Sequence, residues 1–511
     1  MEVFVRIFLS LFVIAAASVS LVSAGFVSLA MFHRYRDHTS DSAPTQPRTA
    51  IIIPAHNEEA VLGTTIQTLL SLEYPVDAVR IYVVDDASSD GTPALVQAAV
   101  AEHPGRIYYL RRNKGGEGKA AVLNHGLDVI LADDWAEAVL IMDSDVLFTP
   151  TSLRRMTRHF ADPEVGAVGA YIREGSRPGN SMTRFIGFEY VMAQALARRS
   201  SNLIGVAACL PGGAQLHTRA NVEELGGRID ASTQAEDTVS TFQTQLNGRK
   251  VIFEGRAVAL AEEPGDIDGL WKQRMRWARG NLQIVLKYRS VWFRPHTPLG
   301  RPTFGIVWFA VTLQPILMVL NAIALTILYF IHYGEAGALL RVFWISNALS
   351  WVTITVFGLL ADRTTARHAW LQAVLFPGII SLGIIIYTVL PHVAIALING
   401  VVHPLHWTLT PVAQHQEVLF AGIWSAACMV VAMAARGVER RLGLKRLALA
   451  LVYLAGYGPL LCAIGFTAYI KELRGSEKRW EVTKKTGKMG DGANATTATS
   501  ARPTEHTARP R

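Results

Sequence analysis

Cysteine is nearly absent: 511 residues contain only Cys209, Cys428 and Cys462. Three thiols without a C-x-x-C spacing exclude a disulfide framework and a cysteine-built metal site. Two of them fall inside apolar runs, where cysteine acts as a small hydrophobe. Charge is sparse as well, at 18% of residues against 50% apolar, and the mean hydropathy is +0.25. The scarcity is local. Lys, Arg, Asp and Glu are missing altogether from 7–32, 303–333, 342–361, 369–398, 418–435 and 447–470. Each run reaches or approaches the roughly 20 residues that a spanning helix needs, so a multi-pass membrane chain is expected.

The net charge of +8 does not point to nucleic acid, because the basic residues gather beside the apolar runs. His33-Arg34-Tyr35-Arg36 follows the first, and Arg436-Gly437-Val438-Glu439-Arg440-Arg441 follows the fifth. Such flanks mark the cytoplasmic side of a membrane. Val22-Ser23-Ala24 offers a signal-peptidase-like site, but the apolar run continues to Phe32 and its positive charge comes after it. Residues 1–47 therefore read as a signal anchor and linker, with the N-terminus outside. That leaves 48–295 as a cytoplasmic domain, 296–474 as a multi-span region and 475–511 as a disordered basic tail. The Asn494-Ala495-Thr496 sequon in the tail reads as chance.

Within the domain, short β-branched runs at 50–53, 80–84, 107–110 and 139–142 alternate with amphipathic stretches at 60–72, 93–102 and 119–131. The alternation predicts an α/β fold with a mostly parallel, Rossmann-like sheet whose ligands sit at the carboxyl ends of the strands. The loops after three of these strands are polar: Pro54-Ala55-His56-Asn57-Glu58-Glu59, Asp85-Asp86-Ala87-Ser88-Ser89-Asp90-Gly91, and Asp143-Ser144-Asp145. Two carboxylates two residues apart at a strand end can address one Mg²⁺ or Mn²⁺ bridging diphosphate oxygens. The Asp85-Asp86 loop can accept hydrogen bonds from a ribose or base, or form an Asx-turn into the next helix. Lys114-Gly115-Gly116-Glu117-Gly118-Lys119 can approach an anionic nucleotide, but Ala120 after the lysine excludes a P-loop ATPase. Gln273, Arg276 and Trp277 share one helical face, with an amide and guanidinium for phosphate and an indole for a sugar ring. Lys272, Arg274 and Arg279 admit a second reading, as membrane-surface charges.

Taken in order, Ile53-Pro54-Ala55-His56-Asn57-Glu58, Val84-Asp85-Asp86-Ala87-Ser88, Gly118-Lys119-Ala120, Met142-Asp143-Ser144-Asp145, Gln234-Ala235-Glu236-Asp237 and Gln273-Arg274-Met275-Arg276-Trp277 resemble the processive family 2 glycosyltransferases. That group includes the poly-N-acetylglucosamine, hyaluronan, chitin and cellulose synthases. The resemblance implies a GT-A catalytic domain flanked by an α-helical transmembrane region. It also implies inverting transfer from a UDP-sugar, such as UDP-N-acetylglucosamine, to a growing β-linked polysaccharide that is exported. Asp85 or Asp86 would hold the uridine, with Lys119, Asp143, Gln273 and Arg276 on the donor. Asp145, with Asp143, would ligate Mg²⁺ or Mn²⁺. Asp237 would be the general base, with Glu236 pointing elsewhere, and Trp277 would carry the acceptor sugar. Pro211-Gly212-Gly213-Ala214 and Arg219 resemble the acceptor-side loop, so Gly213 joins the acceptor set.

Trp407-Thr408-Leu409-Thr410-Pro411 resembles a gating-loop pattern that lacks its following basic residue. Counting six spans leaves this loop and the basic tail outside. Making 369–398 re-entrant at Pro377 and Pro391 instead exposes 436–446, so neither topology satisfies every charge signal. The expected partners are a UDP-sugar, a polysaccharide or lipid acceptor, membrane lipid and an accessory export subunit, with no nucleic acid. Two other readings compete: single-sugar transfer to a membrane lipid, as in ceramide glucosyltransferase-like proteins, and a non-catalytic membrane scaffold or transporter.

Overall fold

The computed structural model describes residues 1–36, 45–402, 414–476, 487 and 489. The expected gating segment at Trp407, and the expected disordered tail apart from residues 475, 476, 487 and 489, lie outside the described residues.

After helix α1 (Glu2–Ser28) the chain builds one eight-stranded sheet. Its strands are β1 (Thr49–Ala55), β2 (Val79–Asp85), β3 (Ile107–Arg111), β4 (Ala138–Met142), β5 (Val146–Phe148), β6 (Val165–Glu174), β7 (Ala214–Thr218) and β8 (Lys250–Ala261), in the order β3-β2-β1-β4-β7-β6-β8-β5. The first four positions are parallel throughout, as expected. β1 reads as a continuous apolar run because both its faces are covered. Ile51 and Ile53 enter one core with Leu62 and Ile66, while Ala50 and Ile52 enter another with Leu123 and Leu127. The covering helices are α2 (Leu62–Leu70), α3 (Thr92–Glu102) and α4 (Lys119–Ala132). α5 (Ser152–Thr157), α6 (Ser181–Tyr190), α7 (Ala197–Ile204), α8 (Arg219–Glu224), α9 (Glu236–Leu246) and α10 (Ile267–Lys287) complete the domain.

The antiparallel β7 matters most for position. Its Ala214 pairs with Met142 and its Thr218 with Ala138. The glycine loop before β7 therefore lies beside the acidic loop after β4, on the rim where β1 and β2 also end. Arg219, expected with that loop, is at the opposite end of β7. There its guanidinium donates to the carbonyls of Asp133 and Leu131, each at 3.0 Å.

Among the described residues four helices are long and apolar enough to cross a membrane: α1, α11 (Pro302–Ile331), α12 (Tyr333–Ala361) and α16 (Gln414–Leu442). Large apolar side chains such as Phe330, Leu349 and Val430 point outward from them, as in helices solvated by lipid. The other two apolar runs are not straight. α13 (Arg363–Val374) and α14 (Ile379–Val389), followed by α15 (Pro391–Val402), meet at 74°. α17 (Lys445–Ala455) and α18 (Tyr457–Leu473) meet at 97°. The two breaks abut: a methyl group on Gly456, at φ +105°, would sit 2.4 Å from the Pro377 carbonyl oxygen, and one on Gly378 would sit 2.5 Å from Gly456 N. No side chain fits either place.

α18 lies along α10. Near its start the Tyr457 hydroxyl donates to Glu189 Oε2 at 2.6 Å, and near its end Glu472 accepts from Arg279 at 2.7 Å and from Gln283 at 2.9 Å. This corrects the reading of Arg274 and Arg279 as membrane-surface charges. Both are buried, and Arg274 makes two bonds to Glu189, at 2.8 and 2.9 Å. Their counter-charges come from distant segments that helical spacing does not reveal. Lys272 is exposed and pairs with Asp268.

Candidate functional site

The loops after β1 and β2 are knitted together. Asn57 takes the left-handed conformation (φ 57°), which lets its amide oxygen accept from Ser89 N at 2.8 Å, while His56 Nδ1 lies 2.8 Å from the Asp86 carbonyl oxygen. The two adjacent aspartates then part. Asp85 is fully buried, and its carboxylate accepts from Ser88 N, Tyr109 Oη and Arg111 Nη1 at 2.8, 2.7 and 3.0 Å. Asp86 accepts from Gly116 N at 2.9 Å, pairs with Arg112 and lines a cavity of about 960 Å³. That volume is at the upper end of the roughly 300–1,000 Å³ typical of ligand pockets.

Lys119 opens α4 and reaches across the rim. Its ammonium lies 2.5 Å from Asp143 Oδ1 and 3.9 Å from Glu236 Oε1, and it donates to the Gly212 carbonyl at 2.9 Å. Burial works to lower its pKa, but the carboxylates of Asp143 and Glu236 outweigh burial and hold it above the ordinary lysine value. Glu236 is raised, chiefly by burial, with Lys119 opposing. Glu236 and Asp237 occupy the first turn of α9, where the helix dipole favours negative charge. Glu236 turns to Lys119, whereas Asp237 Oδ1 accepts from Thr238 N at 2.7 Å.

Gly212 and Gly213 separate the two acidic groups. A methyl on Gly212 would be 2.8 Å from Asp237 Oδ2, and one on Gly213 would be 2.8 Å from Asp143 Oδ2. Asp145, buried, lines the same cavity. Among the described residues no group of three His, Cys, Asp or Glu is placed to hold a metal.

α10 supplies the far wall with Gln273, Arg276 and Trp277, all half-buried and all lining the cavity. Gln273 Nε2 donates to Glu263 Oε2 at 3.2 Å, and the Arg274 guanidinium stacks 4.0 Å from the Trp277 ring centroid. Thus Asp86, Lys119, Asp143, Asp145, Gly213, Asp237, Gln273, Arg276 and Trp277 converge on one cavity, and Asp85 stands behind it as a brace. Sequence reasoning missed Arg111 and Arg112, although their place at the end of the third strand was readable. It also missed Glu189, Arg198 and Glu263, which belong to no motif.

Residues 47–280 match the family described as "Glycosyltransferase like family 2". The probable glycosyltransferase YdaM of Bacillus subtilis is 28% identical over 354 residues, which is 67% of this chain and 81% of that protein. Beta-monoglucosyldiacylglycerol synthase of Synechocystis is 31% identical over 47% of this chain and 49% of its own length. The poly-beta-1,6-N-acetyl-D-glucosamine synthase of Staphylococcus epidermidis is 27% identical over 47% and 55%. These last two are thus matched over about half their length. Among solved structures, the mannosyltransferase PcManGT of Pyrobaculum calidifontis, in complex with GDP-Man and Mn²⁺, superposes with TM-score 0.51 at 23% identity. It covers 70% of this chain and 99% of its own, a likeness of fold.

Proposed function

Since the chain is a glycosyltransferase with a family 2 domain over residues 47–280, we propose that it transfers a sugar with inversion from a UDP-sugar, of the UDP-N-acetylglucosamine type, to a membrane lipid. The observation that carries the transfer is the Gly212-Gly213 step, two successive residues of one loop against which the Asp237 and Asp143 carboxylates stand. Asp237 takes the proton of the acceptor hydroxyl as its oxygen bonds to the anomeric carbon, and the diphosphate leaves from the opposite face with the electron pair. Asp86 receives the uridine, and Arg276 with Gln273 holds the diphosphate. Lys119, fixed between Asp143 and Glu236, keeps a positive charge at the donor side. Asp143 and Asp145 form an oxygen-only pair that would hold Mg²⁺ or Mn²⁺. Bound there, the ion would offset charge on the departing diphosphate.

The lipid acceptor is supported by the cavity itself, which runs on between α1, α11 and α12, where Val307, Met318, Phe343 and Ile354 line it. The second reading, extension and export of a β-linked polysaccharide with an accessory subunit, is supported by Trp277, an indole platform lining the same cavity. Membranes given radiolabelled UDP-sugars and Mg²⁺ separate the two, since a lipid product partitions into chloroform–methanol and a polymer remains as high-mass aqueous material. In the same assay Asp237→Asn is expected to lower turnover by about 10²–10⁴-fold. Turnover equal to the parent's would remove Asp237 from the role of base.

A further inference from the structure

The membrane part of the cavity has polar residues in its wall; several of their hydroxyls are spent within the protein, while Thr355 Oγ1 and the indole N–H groups of Trp308, Trp344 and Trp351 are buried without a partner. Ser20 donates to Asn347 Oδ1 at 2.9 Å, Thr312 to the Trp308 carbonyl at 2.9 Å, Ser350 to the Ser346 carbonyl at 2.8 Å and Ser425 to the Gly422 carbonyl at 2.7 Å. The rest of this wall is largely apolar, with Val307, Met318, Phe343 and Ile354, and an acyl chain lying against it needs no donor.

At the catalytic end, among the described residues, nine carboxylates and four cations line the cavity, and the cations are not equally paired. Four permanent cations line the cavity: Lys119, Arg198, Arg274 and Arg276. Lys119 pairs with Asp143, Arg274 pairs with Glu189, and Arg276 lies in the field of Glu236 on the donor side. Arg198 makes no ion pair among the described residues. Its guanidinium donates to the amide oxygen of Gln194 at 3.3 Å, and Gln194 is itself buried and accepts from Ile172 N. This arginine follows a π-helical turn, Val191–Leu196, a rare conformation that occurs mostly at functional sites. Asp237 and Cys209 lie within its electrostatic reach. A half-buried guanidinium in no direct ion pair gains a counter-charge at bonding distance when a ligand supplies the anion.

We propose that the cavity is a binding site for a membrane lipid with an acidic phosphate headgroup, the phosphate held by Arg198 and an acyl chain lying between α1, α11 and α12. This rests on the lipid-acceptor reading for its catalytic consequence: a headgroup hydroxyl is brought to Asp237, which takes its proton as the oxygen bonds to the sugar and the nucleoside diphosphate departs. Binding itself does not depend on that reading.

The test is native mass spectrometry of the detergent-purified full chain, with dioleoyl phosphatidylglycerol and dioleoyl phosphatidylcholine as probes. The parent is expected to retain phosphatidylglycerol roughly tenfold more tightly than phosphatidylcholine. Arg198→Gln should bring the two level by weakening only the acidic lipid, and Met318→Trp, which fills the apolar part, should weaken both. Equal preference in the parent and Arg198→Gln would overturn the site. Displacement of the lipid by glycerol 3-phosphate at equal concentration would also overturn it, because the ligand would then be a soluble anion. If binding behaves as expected but no lipid is glycosylated in the radiolabel assay, the acceptor reading fails and the site stands.

Discussion

Gly212 holds its place by what it lacks. The Asp237 carboxylate stands where a methyl group would be, so Gly212→Ala must push that oxygen aside. A displacement of about 1 Å in a catalytic group can cost about 10²-fold in rate. We expect Gly212→Ala to lower sugar transfer by that order while thermal stability and nucleotide binding persist. Unchanged transfer would show that Asp237 does not need its present position.

His217 on β7 offers a pH signature. Its Nδ1 accepts from Asn221 Nδ2 at 2.9 Å, which suits a neutral ring, and burial lowers its pKa from 6.5 to about 4. The unfolded chain therefore binds the extra proton between those values. The contribution is complete above about pH 6.5 and is lost as pH falls toward 4, amounting to roughly 3 kcal/mol. The thermal midpoint of His217→Gln should fall less than the parent's between pH 8 and pH 5. Parallel curves would refute the assignment.

At this scale the acidic motifs were legible because a carboxylate after a buried strand has few other reasons to be there. Asp85 and Asp86 could not be told apart, since their difference lies in Tyr109 and Arg111 on a neighbouring strand.

Among the elements, α10 is clamped by α18, and Tyr457, Glu189 and Arg274 run in sequence to the ring of Trp277. The conformation of α18 depends on the break at Gly456, whose added methyl would meet backbone atoms of Pro377. Both the left-handed strain and the clash act against Gly456→Ala, so a loss of several kcal/mol is expected, read as a fall of the thermal midpoint in detergent. A midpoint within a degree or two of the parent's would mean that the breaks are not tightly packed. The run 447–470 looked like one span because apolarity is what composition reports. The bend comes from a contact with residues nearly eighty positions earlier, and no local pattern encodes it. The first four strands and their helices, by contrast, followed from local periodicity, whereas β7 became readable only through its pairing with β4.

For the whole molecule, these contacts suggest a topology that span counting does not reach. α12 ends at Asp362, which accepts from Tyr171 of the catalytic domain at 2.9 Å, and α16 nears its end at Arg436, which donates to Asp268 of α10 at 3.0 Å. Tyr387, late in α14, bonds Glu417, early in α16, about 28 Å along the helix from Arg436. We infer five crossings: α1, α11, α12, the α13–α14 pair and α16. In this arrangement α17 and α18 return along the domain without crossing. The N-terminus is then outside and the tail inside, so residues 363–367 and 436–446 share the cytoplasmic side with the domain, in keeping with the positive-inside bias. In a variant whose three native cysteines are replaced, Glu2→Cys should react with an impermeant maleimide on intact cells, and Ser476→Cys only after permeabilisation. Reaction of both on intact cells would restore a sixth crossing.

The meeting of Gly378 and Gly456 ties two distant stretches of chain into one joint. At each bend the backbone of the other lies where a side chain would begin. The kink in α13–α14 is thus maintained by residues that are synthesised only after α16 is complete, and the helix under the catalytic domain takes its final course late. Until then the catalytic domain, although wholly translated, lacks the floor on which Trp277 is set.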